Sequence, residues 1–120
     1  MAQYMIFARY APDVLKALLQ DPDALEARDN HALQFYGSVG GKVVEWWFVR
    51  DAEYNFCVIV DFPDSEAAHA AIMVGYASGA FTEGKYLELA TPAESVATLR
   101  RASAAGKIFY PPGADGPQQD

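Results

Sequence analysis

Cysteine occurs once in this sequence, as Cys57, so no disulfide can form within the chain and nothing marks an oxidising compartment. It stands inside FCVIV with no basic neighbour in sequence to lower its pKa, which reads as a buried, inert thiol. Histidine is nearly as scarce. His31 and His69 fall in separate helical stretches, and no HxH, HxxxH or CxxC pair exists, so no metal centre is expected. No GxGxxG or GxxxxGK follows a strand and no GxSxG elbow occurs, which removes the usual reasons to propose a nucleotide cofactor or acyl transfer. None of these patterns implies a cofactor. Nowhere do eighteen apolar residues run together, and MAQYMIFARYAPD lacks a basic region followed by an apolar one. The expectation is a cytoplasmic protein with no membrane partner. Basic residues are few too: the formal net charge is −7 and the pI about 4.6, so a nucleic acid or an anionic bilayer is repelled on average. The densest basic group, Arg100, Arg101 and Lys107, fits the end of a helix, where cations oppose the dipole.

What the chain does hold is apolar surface: 52% of its 120 residues are hydrophobic, enough for one core and too many for a disordered chain. QYMIFARY reads as a first strand over residues 3–10, ended by Pro12. A short helix follows over 13–20. A second begins where Asp21 can cap with Pro22 in the first helical position, and it stops at Gly40 and Gly41. On it Leu25, Ala32, Tyr36 and Val39 share a face. Asp29 falls inside that stripe, either as a ligand-facing carboxylate or at an edge that reaches water, and His31 lies on its flank.

Residues 42–49 and 54–62 form a hairpin around the polar tip RDAE. Strict alternation puts Val43, Trp47 and Val49 on one side and Val44, Trp46 and Phe48 on the other, so both faces are apolar. The strand after it repeats the pattern. Small antiparallel sheets usually leave one face wet, so a second apolar face asks for a cover, and a homodimer through the sheet supplies one with roughly 800 Å² per chain.

Asp64 caps the next helix and Gly79 stops it; Ala67, Ala71, Val74 and Ser78 form a small-residue face, with His69, Met73 and Tyr76 opposite. Residues 81–90 make a fourth strand. TPAE is a capping box that opens a last helix, running to about Ala105 with Gly106 as its stop. The order strand, helix, strand, strand, helix, strand predicts an α+β fold, a ferredoxin-like split βαβ with a four-stranded antiparallel sheet, pairing as a dimeric α/β barrel, plus a C-terminal helix. One domain over residues 1–106 is expected, with residues 107–120 a largely disordered extension.

A helix ending in GGKV, an aromatic strand, the turn Ala52-Glu53-Tyr54-Asn55, an apolar strand ending in DFPD and an alanine-rich helix together resemble the GYD domain family. Ala52 stands where that family has glycine and Asn55 where it has aspartate, while Glu53 and Tyr54 match. The resemblance implies the dimeric α/β-barrel architecture. That architecture is similar to that of cofactor-free monooxygenases, isomerases and decyclising enzymes that work in the cleft between sheet and helices.

The expected function is therefore binding of a small apolar or aromatic molecule, with or without cofactor-free proton-transfer chemistry of the oxygenase or isomerase type. The alternative is a non-catalytic binding or interaction module, or an accessory subunit of a larger enzyme. In the catalytic version His31 or His69 is the base and Asp29 assists it. Tyr36, Tyr54 or Asn55 donates to a developing oxyanion, and Trp46, Trp47 and Tyr76 join Tyr36, Tyr54 and Asn55 as substrate-binding candidates.

Overall fold

The computed structural model describes residues 2–114 and Gly116. The chain divides into two compact units, the first ending at Leu89 and the second beginning at Ala90.

In the first unit, β1 (Ala2–Tyr10) is followed by α1 (Pro12–Gln20) and α2 (Ala24–Gly37). Next come β2 (Lys42–Phe48), β3 (Phe56–Phe62), α3 (Ser65–Ala77) and β4 (Phe81–Leu89). The strands form one antiparallel sheet in the order β2-β3-β1-β4, with β3 and β1 at its centre and the longest-range pairing between β1 and the edge strand β4. This is the ferredoxin-like α+β arrangement. Helix α2 packs on β2, and α3 packs on β3 and β4.

The core lies between sheet and helices. Tyr4, Ile6, Ala8 and Tyr10 alternate into it from β1, as do Phe56, Val58, Val60 and Phe62 from β3, the last three of which are fully enclosed. Burying each such side chain stabilises the fold by about 1.5–3 kcal/mol. Ala32 and Tyr36 meet them from α2, and Ala68 and Ala71 from α3. The buried face of α3 thus runs through Ala68, Ala71, Ile72 and Gly75, one step round from the expected row of Ala67, Ala71, Val74 and Ser78. Val74 is 55% exposed. Gly75 on that face lies against the Phe81 ring, which a Cβ there would meet at an ordinary contact distance of 3.6 Å.

Local signals in the sequence behave as chemistry dictates. Asp64 accepts from the Ala67 N–H at 2.8 Å and starts α3, while Gly79, at φ +77°, ends the turn that follows it. Helix α2 starts later than expected. Residues 21–23 form a tight turn in which the Asp21 carbonyl accepts from Ala24, and the helix proper begins at Ala24. Its end is set by Gly40, at φ +81°, and by the Gly41 N–H donating back to the Tyr36 carbonyl at 2.8 Å.

The register of β2 corrects the face assignment from strict alternation. Val43 pairs with Val60, but the next registered pair is Glu45 with Ile59, so Val44 is an extra residue in the strand. This bulge turns Val43, Trp46 and Phe48 to the helix side and leaves Lys42, Glu45 and Trp47 on the other. The far face is still apolar at its centre, through Met5, Phe7, Ile59, Leu87 and Trp47.

In the second unit, α4 (Pro92–Gly106) opens with a complete capping box: Thr91 Oγ1 accepts from the Glu94 N–H at 3.1 Å, and Glu94 Oε1 accepts from the Thr91 N–H at 2.8 Å. Those bonds hold the Glu94 carboxyl below the usual carboxylate range. Gly106 belongs to the helix itself, which Lys107 caps through its N–H to the Ala104 carbonyl. The disordered end expected for the tail falls in part on Asp115 and residues 117–120, outside the described residues.

Candidate functional site

Between α2, α3 and the sheet the first unit encloses a cavity of about 380 Å³, open on one side to solvent. That volume is at the small end of the range of roughly 300–1,000 Å³ typical of small-ligand sites. Its deep end is an aromatic box built from β1, β2, β3 and β4. Tyr10 stacks on Phe81 at 5.2 Å, Phe56 meets Phe81 at 5.2 Å and Tyr10 edge-on at 5.9 Å, and Trp46 tilts against Phe56 at 5.6 Å. The Trp46 indole N–H is sealed off from the cavity and has no acceptor among the described residues.

Helix α2 forms one wall. Arg28, His31, Ala32, Phe35 and Tyr36 line the cavity at positions i, i+3, i+4, i+7 and i+8, a single helical stripe whose first two members are polar. Phe35 packs edge-on against Tyr36 at 5.0 Å, and the His31 ring lies parallel to Phe35 at 6.3 Å. The opposite wall is Ala71, Ile72, Val74, Gly75 and Tyr76 of α3, with Tyr86 of β4.

The polar atoms inside are few and alike. Among the described residues the hydroxyls of Tyr10 and Tyr36 find no hydrogen-bond partner, yet neither is walled off as the Trp46 nitrogen is. Both rings are buried, and burial raises both phenol pKa values; the two hydroxyls are close enough that Tyr10 adds to the shift at Tyr36. The nearby Arg28 guanidinium pulls the Tyr10 value partly back. Both phenols are thus proton donors throughout the neutral range.

The expected site residues divide across the molecule. Tyr36, Trp46, Tyr76 and His31 line the cavity. His69 stands one side chain behind it: its Nδ1 is 3.4 Å from the Tyr86 hydroxyl, and Tyr86 is a wall residue. Asp29 is exposed and does not line the cavity. Trp47 lies on the far face of the sheet, and Tyr54 rests against Phe7 at 6.0 Å. Asn55 Oδ1 accepts from the Tyr10 N–H at 2.9 Å, so it acts on the backbone of a cavity residue. The tip before it is closed by Asp51, whose carboxylate accepts from the N–H groups of Glu53 at 2.9 Å and Tyr54 at 3.1 Å. Those bonds lower the Asp51 pKa.

Arg28, Tyr10 and Phe81 are cavity residues that sequence reasoning did not single out. Arg28 carried a findable signal, since it completes the i, i+3, i+4, i+7, i+8 row with His31, Ala32, Phe35 and Tyr36. A search for apolar stripes passes over it.

The GYD domain family matches residues 4–99, most of the chain and all four strands. The chain belongs to that family. No curated protein matches it. As a GYD domain it is a small α/β protein, and membership assigns it neither reaction nor ligand. The family's signature turn is degenerate here, and the geometry shows what the departure keeps. Asn55 in place of aspartate retains the acceptor oxygen that holds Tyr10. Ala52 in place of glycine fits a turn in which no non-glycine residue among those described has a positive φ.

Proposed function

We propose that this GYD domain binds a small molecule with an aromatic or compact apolar body in the cavity between its helices and sheet, as a homodimer joined through the far face of the sheet. The observation that carries the reading is the cavity itself. It is walled by aromatic and aliphatic side chains from two helices and four strands, and it holds a pair of unpartnered phenol donors, the composition expected of a small-ligand site. The test is binding of one- and two-ring probes, followed by Trp46 fluorescence and by thermal shift. Val74→Trp obstructs the mouth from an exposed position without touching the core. Probe binding in the wild type and its loss in V74W at unchanged melting temperature is the expected result. No binding of any probe at millimolar concentration would end the proposal.

A second reading makes the site catalytic, without a cofactor. It is favoured by His31 lining the same cavity as two phenol donors. His31 takes a proton from the carbon next to a carbonyl, the enolate oxygen accepts hydrogen bonds from Tyr10 and Tyr36, and the imidazolium returns the proton at a second carbon or the same one. Proton exchange of 2-tetralone in D2O, followed by NMR, checks it. Exchange faster with protein than with buffer, and lost in His31→Gln, supports the step; identical exchange with H31Q removes His31 from it.

A further inference from the structure

We infer that the ligand of this cavity is an anion, a single carboxylate or enolate on an apolar body, and that Arg28 is its counterion. The inference rests on the cavity being a ligand site and adds the chemical class of what enters it.

The argument is one of charge placement. The protein has 16 acidic and 9 basic residues, so a cavity drawn at random from its surface would carry more acid than base on average. This one does not. The charged residues that touch it are Arg28, Glu83 and Lys85, with His31 titratable beside them. Strand register removes two: Glu83 pairs with Arg9 and Lys85 with Phe7, residues whose side chains leave the sheet on the side away from α2 and α3. Glu83 is in addition held by Arg9 at 3.2 Å. The charged side chain left to set the potential inside is therefore a basic one, Arg28.

Arg28 has no acidic partner within ion-pair distance among the described residues, although the chain is rich in acids. It stands one turn before Ala32 and two before Tyr36, so its guanidinium reaches toward the same space as the phenols. A carboxylate accepts from all three groups, each a donor at neutral pH, and a guanidinium can engage it through two parallel bonds. A cationic ligand would find no counter-charge there, and a neutral one would leave Arg28 unused. Volume limits the body to about one or two rings.

The experiment compares 2-naphthoate with 2-naphthamide, which has nearly the same shape without the charge, in titrations read by calorimetry. Wild type is set beside Arg28→Gln and Lys16→Gln, the latter removing the same charge from an exposed position of α1 outside the cavity. Wild type should prefer the acid by on the order of tenfold, a preference that weakens with salt. R28Q should abolish the preference while leaving amide affinity in place, and K16Q should keep it. Equal affinity for acid and amide in the wild type, or a preference that survives R28Q, overturns the anion assignment and leaves the binding site standing. Failure of both compounds to bind overturns the site and the assignment together.

Discussion

Asn55 Oδ1 accepts the backbone N–H of Tyr10 at 2.9 Å, a bond that spans 45 residues of sequence and joins the end of β1 to the entrance of β3. The Asn55 backbone adds to the strap, its N–H donating to the Ala8 carbonyl at 3.1 Å and its carbonyl accepting from Val49 at 3.0 Å. Tyr10 is thereby held just where β1 pairs irregularly with β4. Asn55→Ala orphans a half-buried N–H and should cost about 1–2 kcal/mol in urea unfolding. Asn55→Asp keeps the acceptor and should stay much closer to wild type. Equal losses in the two variants would show that the amide group itself, and not its oxygen, is what the turn requires.

That bond also marks where the sequence stops being legible. Asp64, Thr91 with Glu94, and Gly79 act within a few residues of themselves, so their roles follow from local chemistry. The alternation of β1 and β3 is equally plain, because every second side chain enters one core. The extra residue Val44 is different: nothing in KVVEWWF distinguishes a bulge from regular alternation, because valine and tryptophan suit either face. Arg28 escapes notice for a related reason. A cavity wall relaxes the demand for apolar residues that identifies a core-facing stripe, so the helix that builds the site has the weakest amphipathic signal. Asn55 was visible as an off-pattern polar group, but only the fold shows that its oxygen is engaged by Tyr10.

Gly84 lies beneath Tyr76. A Cβ at that position would come within 2.5 Å of the Tyr76 hydroxyl and 3.1 Å of the ring carbon that bears it. Tyr76 is half exposed, so the ring can swing away, but it then leaves the cavity wall. Gly84→Ala should cost about 1 kcal/mol and change probe affinity, whereas in a Tyr76→Ala background the same substitution should be nearly neutral. A double-mutant cycle in urea measures the coupling. Additive effects would mean that the glycine answers to something other than Tyr76.

Burial of the Tyr36 phenol in the cavity wall raises its pKa above that of the unfolded chain, near 10. In the alkaline range the folded state therefore keeps a proton that the unfolded state has released. Stability is full below about pH 10 and falls as pH rises through and beyond that value. Tyr36→Phe removes the ionisable group, so its stability should decline less steeply than that of wild type between pH 9 and 11. Parallel urea midpoints across that window would show that the phenol is solvated in the native state.

The far face of the sheet puts Met5, Phe7, Ile59, Leu87 and Trp47 at its centre, with Trp47 56% and Leu87 42% exposed. Its charges balance: Arg9, Lys42 and Lys85 stand against Glu45, Asp61 and Glu83, with Arg9 bonded to Glu83 and Gln3 donating to Asp61 at 2.8 Å. A protein of net charge −7 thus presents a neutral patch to a second copy, where like-charge repulsion would otherwise oppose association. Four strands about 4.8 Å apart and seven to nine residues long give a footprint of roughly 500 Å² before side-chain relief, about two thirds of what each partner contributes to a standard interface. Sedimentation at micromolar concentration should report a dimer. Trp47→Lys and Leu87→Lys, one on each edge strand, each bring an unpaired cation into the apolar patch of both copies, so each should shift the equilibrium to monomer by on the order of 100-fold or more. Wild type that sediments as a monomer at those concentrations removes the dimer, and V74W, altered on the other side of the sheet, should leave the association unchanged.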